Sequence, residues 1–292
     1  MTDAFLIGDH MDIANQLLYV TARIESFLPG GQVSVGTGFI FTFAFGQNTK
    51  VPALVTNKHV IGDANRIRIN FCFEAPDNQN GRHLTTWTLD GVQNHLIKHP
   101  DKAVDICLLL INPLLEAEVR AHSGIRYVSI GEESVATRDD LKQMLAIEDV
   151  MMIGYPDGLY DAANGSPLVR KGITATPLFL DFNGESNFVV DMACYNGSSG
   201  SPVFILTQGA YATKDGGISL GNRFSLLGVQ FAAFLHSNTG SFKQVPAPTA
   251  VGLVPSVDTP NNLGIVVKAY RILELKPLIQ TILDGERGEL GE

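Results

Sequence analysis

The sequence predicts an all-β protein, because its apolar residues fall in short runs separated by turn-forming residues. Leu18, Val20, Ala22 and Ile24 alternate with other residues, as one buried face of a strand does. The same alternation recurs over residues 67–73. The 29 glycines and 14 prolines supply turns for many short elements. No regular alternation of strands with helices is found, which argues against a parallel α/β sheet.

Further apolar runs bring the expected number of strands to about ten, which favours a sandwich or barrel. Most are bounded by Gly, Pro, Asn or Asp, and they lie at residues 39–43, 53–55, 106–111, 150–153, 188–190, 203–206, 226–234 and 265–267. No linker-like composition divides the chain, and two barrels of similar length would fit its 292 residues.

Helix is predicted at two places only. Thr137 and Asp140 are spaced as in a capping box, so we expect a short helix within residues 132–144. Near the carboxyl terminus apolar residues recur with helical period, and Pro277 is expected to kink or restart that helix. These apolar residues are Tyr270, Leu273, Leu275, Leu278, Ile279 and Ile282. Residues 236–262, rich in Pro, Ser, Thr and Asn, are predicted to form a long loop.

Composition and charge exclude several classes of function. The apolar content of 45% and charged content of 17% are typical of a folded protein. With a net charge of −9 and no Lys/Arg cluster, nucleic-acid binding is not expected. Cys72, Cys107 and Cys194 are odd in number and widely spaced, which favours a reducing compartment over a disulfide framework. Residues 1–13 do not resemble a signal peptide, and no apolar stretch reaches the roughly 18 residues of a membrane span. We therefore expect a cytoplasmic protein without membrane partners.

Three segments carry residues suited to nucleophilic catalysis. The sequence Gly-Ser-Ser-Gly-Ser-Pro at 197–202 combines a serine with glycines, which permit a tight turn and backbone N–H groups aimed at an oxyanion. His59 lies in Thr-Asn-Lys-His-Val, directly after an apolar strand. Asp105 opens a buried apolar run, where a carboxylate needs a partner that a histidine would supply.

These segments resemble the trypsin-like, chymotrypsin-fold serine peptidases, in particular bacterial members without disulfides. Further matching blocks are Gly-Thr-Gly-Phe at 36–39, Gly-Tyr-Pro at 154–156, Lys-Gly-Ile at 171–173 and the final helix, so the resemblance spans roughly residues 15–283. His59 precedes Asp105 by 46 residues, and Asp105 precedes Ser199 by 94. The corresponding separations in the chymotrypsin template are about 45 and about 93.

The resemblance implies two antiparallel β-barrels, at residues 15–130 and 145–268, followed by a C-terminal α-helix at 269–283. It implies that Ser199 attacks a peptide carbonyl, that His59 transfers the proton and that Asp105 holds the histidine tautomer. Backbone N–H groups of Gly197 and Ser199 would form the oxyanion hole. Such an enzyme acts on protein or peptide substrates and needs neither a cofactor nor a metal.

The resemblance also implies a substrate-binding region that includes the pocket for the P1 residue. Ala193 would lie at the base of this pocket with Cys194 beside it, and the opposite wall would be formed by Phe231, Ala232, Ala233 and Gly264. These residues are uncharged, so an apolar P1 residue is expected. Ser198 stands where many secreted relatives have the aspartate used in zymogen activation. Activation by a cut at the N-terminus is therefore not expected. The uncut chain should be active alone or with a regulatory protein partner that orders the loop 236–262.

Other interpretations of these residues stay open at this stage. Asp101 lies near Asp105 and competes for its role, and His59 alone would be read as a core histidine. His95 and His99 have the spacing of zinc ligands on a helix, but no third ligand follows and Pro100 ends any helix there. The chain would also suit a catalytically latent, peptide-binding member of the same fold. An α/β-hydrolase esterase is disfavoured, because it would require the order Ser, Asp, His.

Overall fold

The computed structural model describes residues 5–6, 12–46, 49–75, 81–122, 124–239 and 256–289. The strands are β1 Phe5–Leu6, β2 Thr21–Phe27, β3 Val33–Phe45, β4 Thr49–Thr56, β5 Arg66–Glu74, β6 Arg82–Asp90, β7 Leu96–Lys98, β8 Cys107–Leu110, β9 Val128–Gly131, β10 Asp149–Gly154, β11 Leu168–Thr174, β12 Asn187–Asp191, β13 Pro202–Thr207, β14 Ala210–Ala212, β15 Ile218–Leu220, β16 Arg223–Thr239 and β17 Ser256–Lys268. The α-helices are α1 Ile13–Gln16, α2 Lys58–Ile61, α3 Asn112–Ala121, α4 Arg138–Gln143, α5 Tyr270–Leu273 and α6 Lys276–Glu289.

Two sheets dominate the described chain. The first is nine-stranded, with the main order β6-β5-β2-β3-β4-β8-β7, and its strands pair antiparallel except where β9 pairs with β1 and β3. The second is a closed barrel of six antiparallel strands in the order β10-β11-β12-β17-β16-β13. The predicted all-β class with a C-terminal helix is therefore confirmed, and the parallel pairs of β9 are a feature that the sequence did not indicate.

The core is divided because side chains alternate between the two faces of a strand. In β3, Ile40 packs into the core of the nine-stranded sheet, together with Leu54 and Ile67. Its neighbours Phe39 and Phe41 face the opposite way. They join a second core that includes side chains of the barrel, such as Phe204, and of α5 and α6. A third core fills the interior of the barrel. The middle core thus joins the two sheets and the final helices.

Most helix predictions are confirmed. α4 begins with the predicted capping box, in which the Thr137 hydroxyl accepts from the Asp140 backbone N–H and the Asp140 carboxylate accepts from the Thr137 N–H. The C-terminal helix is divided into α5 and α6, and Pro277 lies at the start of α6. α3 was not predicted from the sequence, although a proline lies at its start.

Two predictions about irregular and extended segments are wrong in part. The predicted strand at Leu18–Ile24 starts only at Thr21, because residues 13–19 are helical, in a segment whose first turn is capped by the Asp12 side chain. The predicted loop 236–262 is shortened by the ends of β16 and β17, which pair from Gly228↔Lys268 as far as Thr239↔Ser256. The rest of that loop, including Lys243, lies outside the described residues.

The three cysteines do not form disulfide bonds with one another. Cys72, Cys107 and Cys194 are all buried and free, as expected for a chain without a disulfide framework. Among the described helices, none is long and apolar enough to cross a membrane.

Candidate active site

His59 is held at the surface by a one-turn helix that follows β4. β4 ends at Thr56, whose hydroxyl donates to the Thr37 carbonyl oxygen at 2.7 Å. In α2, Val60 and Ile61 are buried, and this anchors the turn while the His59 side chain stays 49% exposed. The preceding residue, Asn57, donates its side-chain amide to the Asp105 carbonyl oxygen at 2.6 Å. This hydrogen bond links the segment that carries His59 to the segment that carries Asp105.

Asp105 faces His59 because β8 pairs with β4. The register places Cys107 opposite Thr56, so the residues just before β8 and just after β4 lie side by side. The Asp105 Oδ2 atom contacts His59 Nδ1, and Oδ1 accepts from the His59 backbone N–H at 3.2 Å. Two contacts from one carboxylate fix the imidazole ring and leave Nε2 pointing away from Asp105. Its sequence rival, Asp101, instead pairs with Arg271 at 2.6 Å.

Ser199 lies on a tight turn between β12 and β13. Both flanking glycines have left-handed backbone conformations, with φ of 81° at Gly197 and 89° at Gly200. A Cβ atom at Gly200 would lie 1.8 Å from the Thr37 carbonyl oxygen, so glycine is required there by conformation and by space. The Ser199 hydroxyl donates to the Phe231 carbonyl oxygen over 3.4 Å.

The backbone N–H groups of Gly197 and Ser199, the two predicted oxyanion donors, have no acceptor in the described part of the chain. Their neighbours Ser198, Gly200 and Ser201 all donate to backbone carbonyl groups, at 2.8–3.0 Å. Two such donors on one tight turn are what an oxyanion hole requires.

Thr37 connects this turn to both sheets, a role that the sequence did not reveal. Its buried hydroxyl donates to the Gly197 carbonyl oxygen at 2.8 Å and accepts from the Tyr155 backbone N–H at 3.1 Å. Its backbone N–H donates to the Ser199 carbonyl oxygen at 2.8 Å. One side chain of β3 therefore contacts the serine turn and the segment that follows β10.

His59 and Ser199 line the same cleft of about 440 Å³, which lies between the two sheets. The other lining residues are Val33, Ser34, Val35, Val60, Asp157, Asn196 and Gly197. Asp157 was not singled out from the sequence, although Gly-Tyr-Pro before it marks the turn. Its backbone N–H donates to the Asn196 carbonyl oxygen at 2.5 Å. A larger cleft, beside Glu148 and Lys214, contains none of the predicted site residues.

The residues predicted to bind the P1 side chain lie outside that cleft. Cys194 is buried, whereas Ala193 and the β16 residues Phe231, Ala232 and Ala233 are partly buried. Gly264 on β17 pairs with Ala233, and a Cβ atom at Gly264 would lie 2.4 Å from the Cys194 sulfur. Cys194 and Gly264 are therefore in close contact. Burial raises the pKa of the Cys194 thiol to about 11, although the charge of Arg170 opposes the shift.

The histidines considered as zinc ligands are separated by β7. Because His95 and His99 flank an extended strand, they do not share one face of a helix. His95 is exposed, whereas His99 is buried and its Nδ1 atom accepts from the Asp101 backbone N–H at 3.1 Å. Burial, with the nearby Arg271 charge, lowers the pKa of His99.

One family profile and several solved structures are similar to this chain. A family profile described as a trypsin-like peptidase domain matches residues 36–211, which include His59, Asp105 and Ser199. No curated protein matches the chain significantly. Similar solved structures include the active form of a protease from M. tuberculosis (14% identity, TM-score 0.43, covering 89% of this chain and 80% of that one). An inactivated protease paralogue from the scabies mite has 14% identity and a TM-score of 0.44, over 92% of this chain and 96% of that one. The protease Anisep from Arthrobacter nicotinovorans has 14% identity and a TM-score of 0.45, over 86% and 90%. Because the profile matches more than half of the 292 residues, the chain belongs to the trypsin-like peptidase family.

Proposed function

We propose that this peptidase is a serine endopeptidase with His59, Asp105 and Ser199 as its catalytic triad. The observation that carries the proposal is the double contact of the Asp105 carboxylate with His59, beside a cleft that Ser199 also lines. An aspartate at Nδ1 selects the tautomer in which Nε2 is free to accept a proton. His59 is therefore oriented as a general base for a serine in this cleft.

The reaction would proceed through an acyl-enzyme. Ser199 Oγ attacks the carbonyl carbon of the scissile bond, and its proton passes to His59 Nε2. The carbonyl oxygen becomes an anion and accepts hydrogen bonds from the Gly197 and Ser199 N–H groups. The C–N bond then breaks, and the proton on His59 passes to the leaving amine. Water attacks the ester by the same proton transfer and regenerates the Ser199 hydroxyl.

The hydrogen bond from Ser199 to Phe231 describes the enzyme without substrate. At 3.4 Å it is long for an O–H···O bond, and rotation about the Ser199 side chain would redirect the hydroxyl to His59. A substrate strand pairing with Phe231–Ala233 would use the same Phe231 carbonyl oxygen for its own N–H group. Substrate binding would thus remove the competing acceptor from Ser199.

A pair of serine variants tests the proposal. Hydrolysis of a mixed peptide library should fall by up to about 10⁶-fold in Ser199→Ala. Ser198→Ala is the matched control, because its buried hydroxyl accepts only a long bond of 3.4 Å from the Tyr195 N–H. Its activity should stay within about tenfold of wild type, since no triad contact is lost. Wild-type activity in Ser199→Ala would show that the serine assignment is wrong.

A further inference from the structure

A cluster of three metal-ligating side chains lies away from the candidate active site. His83 lies on β6, Glu118 lies on α3, and His122 directly follows α3. We call these residues the His-Glu-His cluster. None of them lines the cleft that contains His59 and Ser199, so the proposed peptidase chemistry leaves the cluster without a role.

The donor atoms of the cluster converge on one point. Glu118 Oε1 lies 2.8 Å from His83 Nε2 and 3.2 Å from His122 Nδ1. One ligand atom from each residue lies within 4.8 Å of the other two. In a tetrahedral zinc site with bonds of about 2.0–2.1 Å, neighbouring donor atoms are about 3.3 Å apart. Small rotations of these side chains would therefore give three donors the separations that zinc requires.

Second-layer contacts orient the central carboxylate toward the histidines. Trp87 Nε1 donates to the other carboxylate oxygen, Glu118 Oε2, at 3.2 Å. Burial acts to raise the pKa of Glu118, but hydrogen bonds from His83, Trp87 and Thr85 outweigh it and lower the pKa below its ordinary value. With Oε2 bound by Trp87, the other carboxylate oxygen, Oε1, faces both histidines.

The cluster is sheltered on one side and open on the other. The side chains of His83 and Glu118 are 18% and 12% exposed, whereas that of His122 is 47% exposed. A cation could reach the carboxylate from the His122 side, and a water molecule could complete its coordination there.

We propose that the His-Glu-His cluster is a zinc site, with His83 Nε2, Glu118 Oε1 and His122 Nδ1 as ligands. Two imidazoles and one carboxylate are a donor set that Zn²⁺ binds readily, with water as the fourth ligand. The ion would replace the direct contacts of the two imidazoles with Glu118, and each imidazole would then carry its proton on the ring nitrogen that does not bind zinc. His122 would give up its 3.3 Å contact with the Glu118 carbonyl oxygen.

Zinc at this position would join two elements that are distant in sequence. His83 and Glu118 are 35 residues apart, and their contact is a link between the β5–β6 pair and α3. Because a bound ion stabilises only the folded state, zinc should raise the melting temperature of the whole chain.

Zinc titration of the full chain tests the site. After EDTA treatment and desalting, we expect calorimetry with ZnCl₂ to show one saturable site and the melting temperature to rise. Glu118→Gln, which keeps the size of the side chain, and His122→Ala should each weaken binding by at least about tenfold. Trp87→Phe should weaken it by about 10–100-fold through loss of the second-layer hydrogen bond.

Two control variants distinguish this site from others. His95→Ala removes an exposed histidine outside the cluster and should leave zinc affinity unchanged. His59→Ala, made in parallel, removes any zinc bound at the candidate triad. Absence of saturable binding in wild type would overturn the proposal, as would unchanged affinity in both Glu118→Gln and His122→Ala.

Discussion

Thr37→Val is the substitution that most sharply probes how the two sheets hold the serine turn. Valine keeps the shape of the buried side chain but removes the hydroxyl that contacts Gly197 and Tyr155. The Gly197 carbonyl oxygen and the Tyr155 N–H group then lose their partner. Each buried group without a partner lowers the free energy of unfolding by about 1–3 kcal/mol. We therefore expect the free energy of unfolding to fall by at least about 2 kcal/mol.

The same substitution should lower turnover more than it affects substrate binding. Gly197 supplies one of the two candidate oxyanion donors, and loss of such a donor typically lowers kcat by about 100–1,000-fold. Because Thr37 only positions this turn, we expect a smaller fall of about 10–100-fold in kcat, with KM nearly unchanged. Urea unfolding and steady-state hydrolysis of a peptide substrate measure the two effects.

Thr37→Ser is the matched control, since it keeps the hydroxyl and removes only a methyl group. It should retain most of the stability and kcat of the wild type. If Thr37→Val lowers stability as expected but leaves kcat unchanged, the hydroxyl has a structural role only, and the reasoning about the oxyanion turn is refuted.

Four further predictions concern the triad, specificity, activation and stability. Asp105→Asn should lower kcat by about 10⁴-fold, because amide contact favours the wrong His59 tautomer, and wild-type kinetics would contradict this. A peptide-library profile of the wild type should show cleavage after aliphatic or aromatic P1 residues. Ala193→Asp should create weak activity toward basic P1 residues, and a dominant Lys or Arg preference in the wild type would refute the assigned pocket. Because Ser198 cannot form an ion pair with a new N-terminus, the uncut chain should be active alone or with a protein partner, and N-terminal sequencing that finds an obligatory cut would disprove this. Arg223 binds the buried Glu148 carboxylate at 3.1 Å, so Glu148→Ala should lower the free energy of unfolding by about 3–5 kcal/mol, as measured by urea denaturation.

The parts of the fold that were predicted correctly came from local sequence patterns. Short apolar runs bounded by turn residues identified most strands, and Thr137 with Asp140 identified the start of α4. His59 and Asp105 were found because each adjoins a buried strand, and the pairing of β4 with β8 brings them together. Such signals lie within a few residues of one another, so a single sequence displays them.

Contacts between distant segments were not predictable in this way. The hydrogen bond from Thr37 to Gly197 spans 160 residues, and no local pattern marks either residue as a partner of the other. The His-Glu-His cluster likewise depends on the packing of α3 against β6, and α3 itself was missed. The extension of β16 was missed because Pro, Ser and Thr are typical of loops, whereas long-range pairing with β17 stabilises strand there.

Covalent labelling of the intact chain by a fluorophosphonate, followed by peptide mapping, tests the central claim most directly. The probe forms a stable adduct with a serine only where a neighbouring base activates the hydroxyl. The proposed mechanism predicts one adduct per chain, on Ser199, which disappears in His59→Ala. Absence of labelling in the folded wild-type chain would favour a latent peptide-binding role, and an adduct on another serine would contradict the assignment of Ser199.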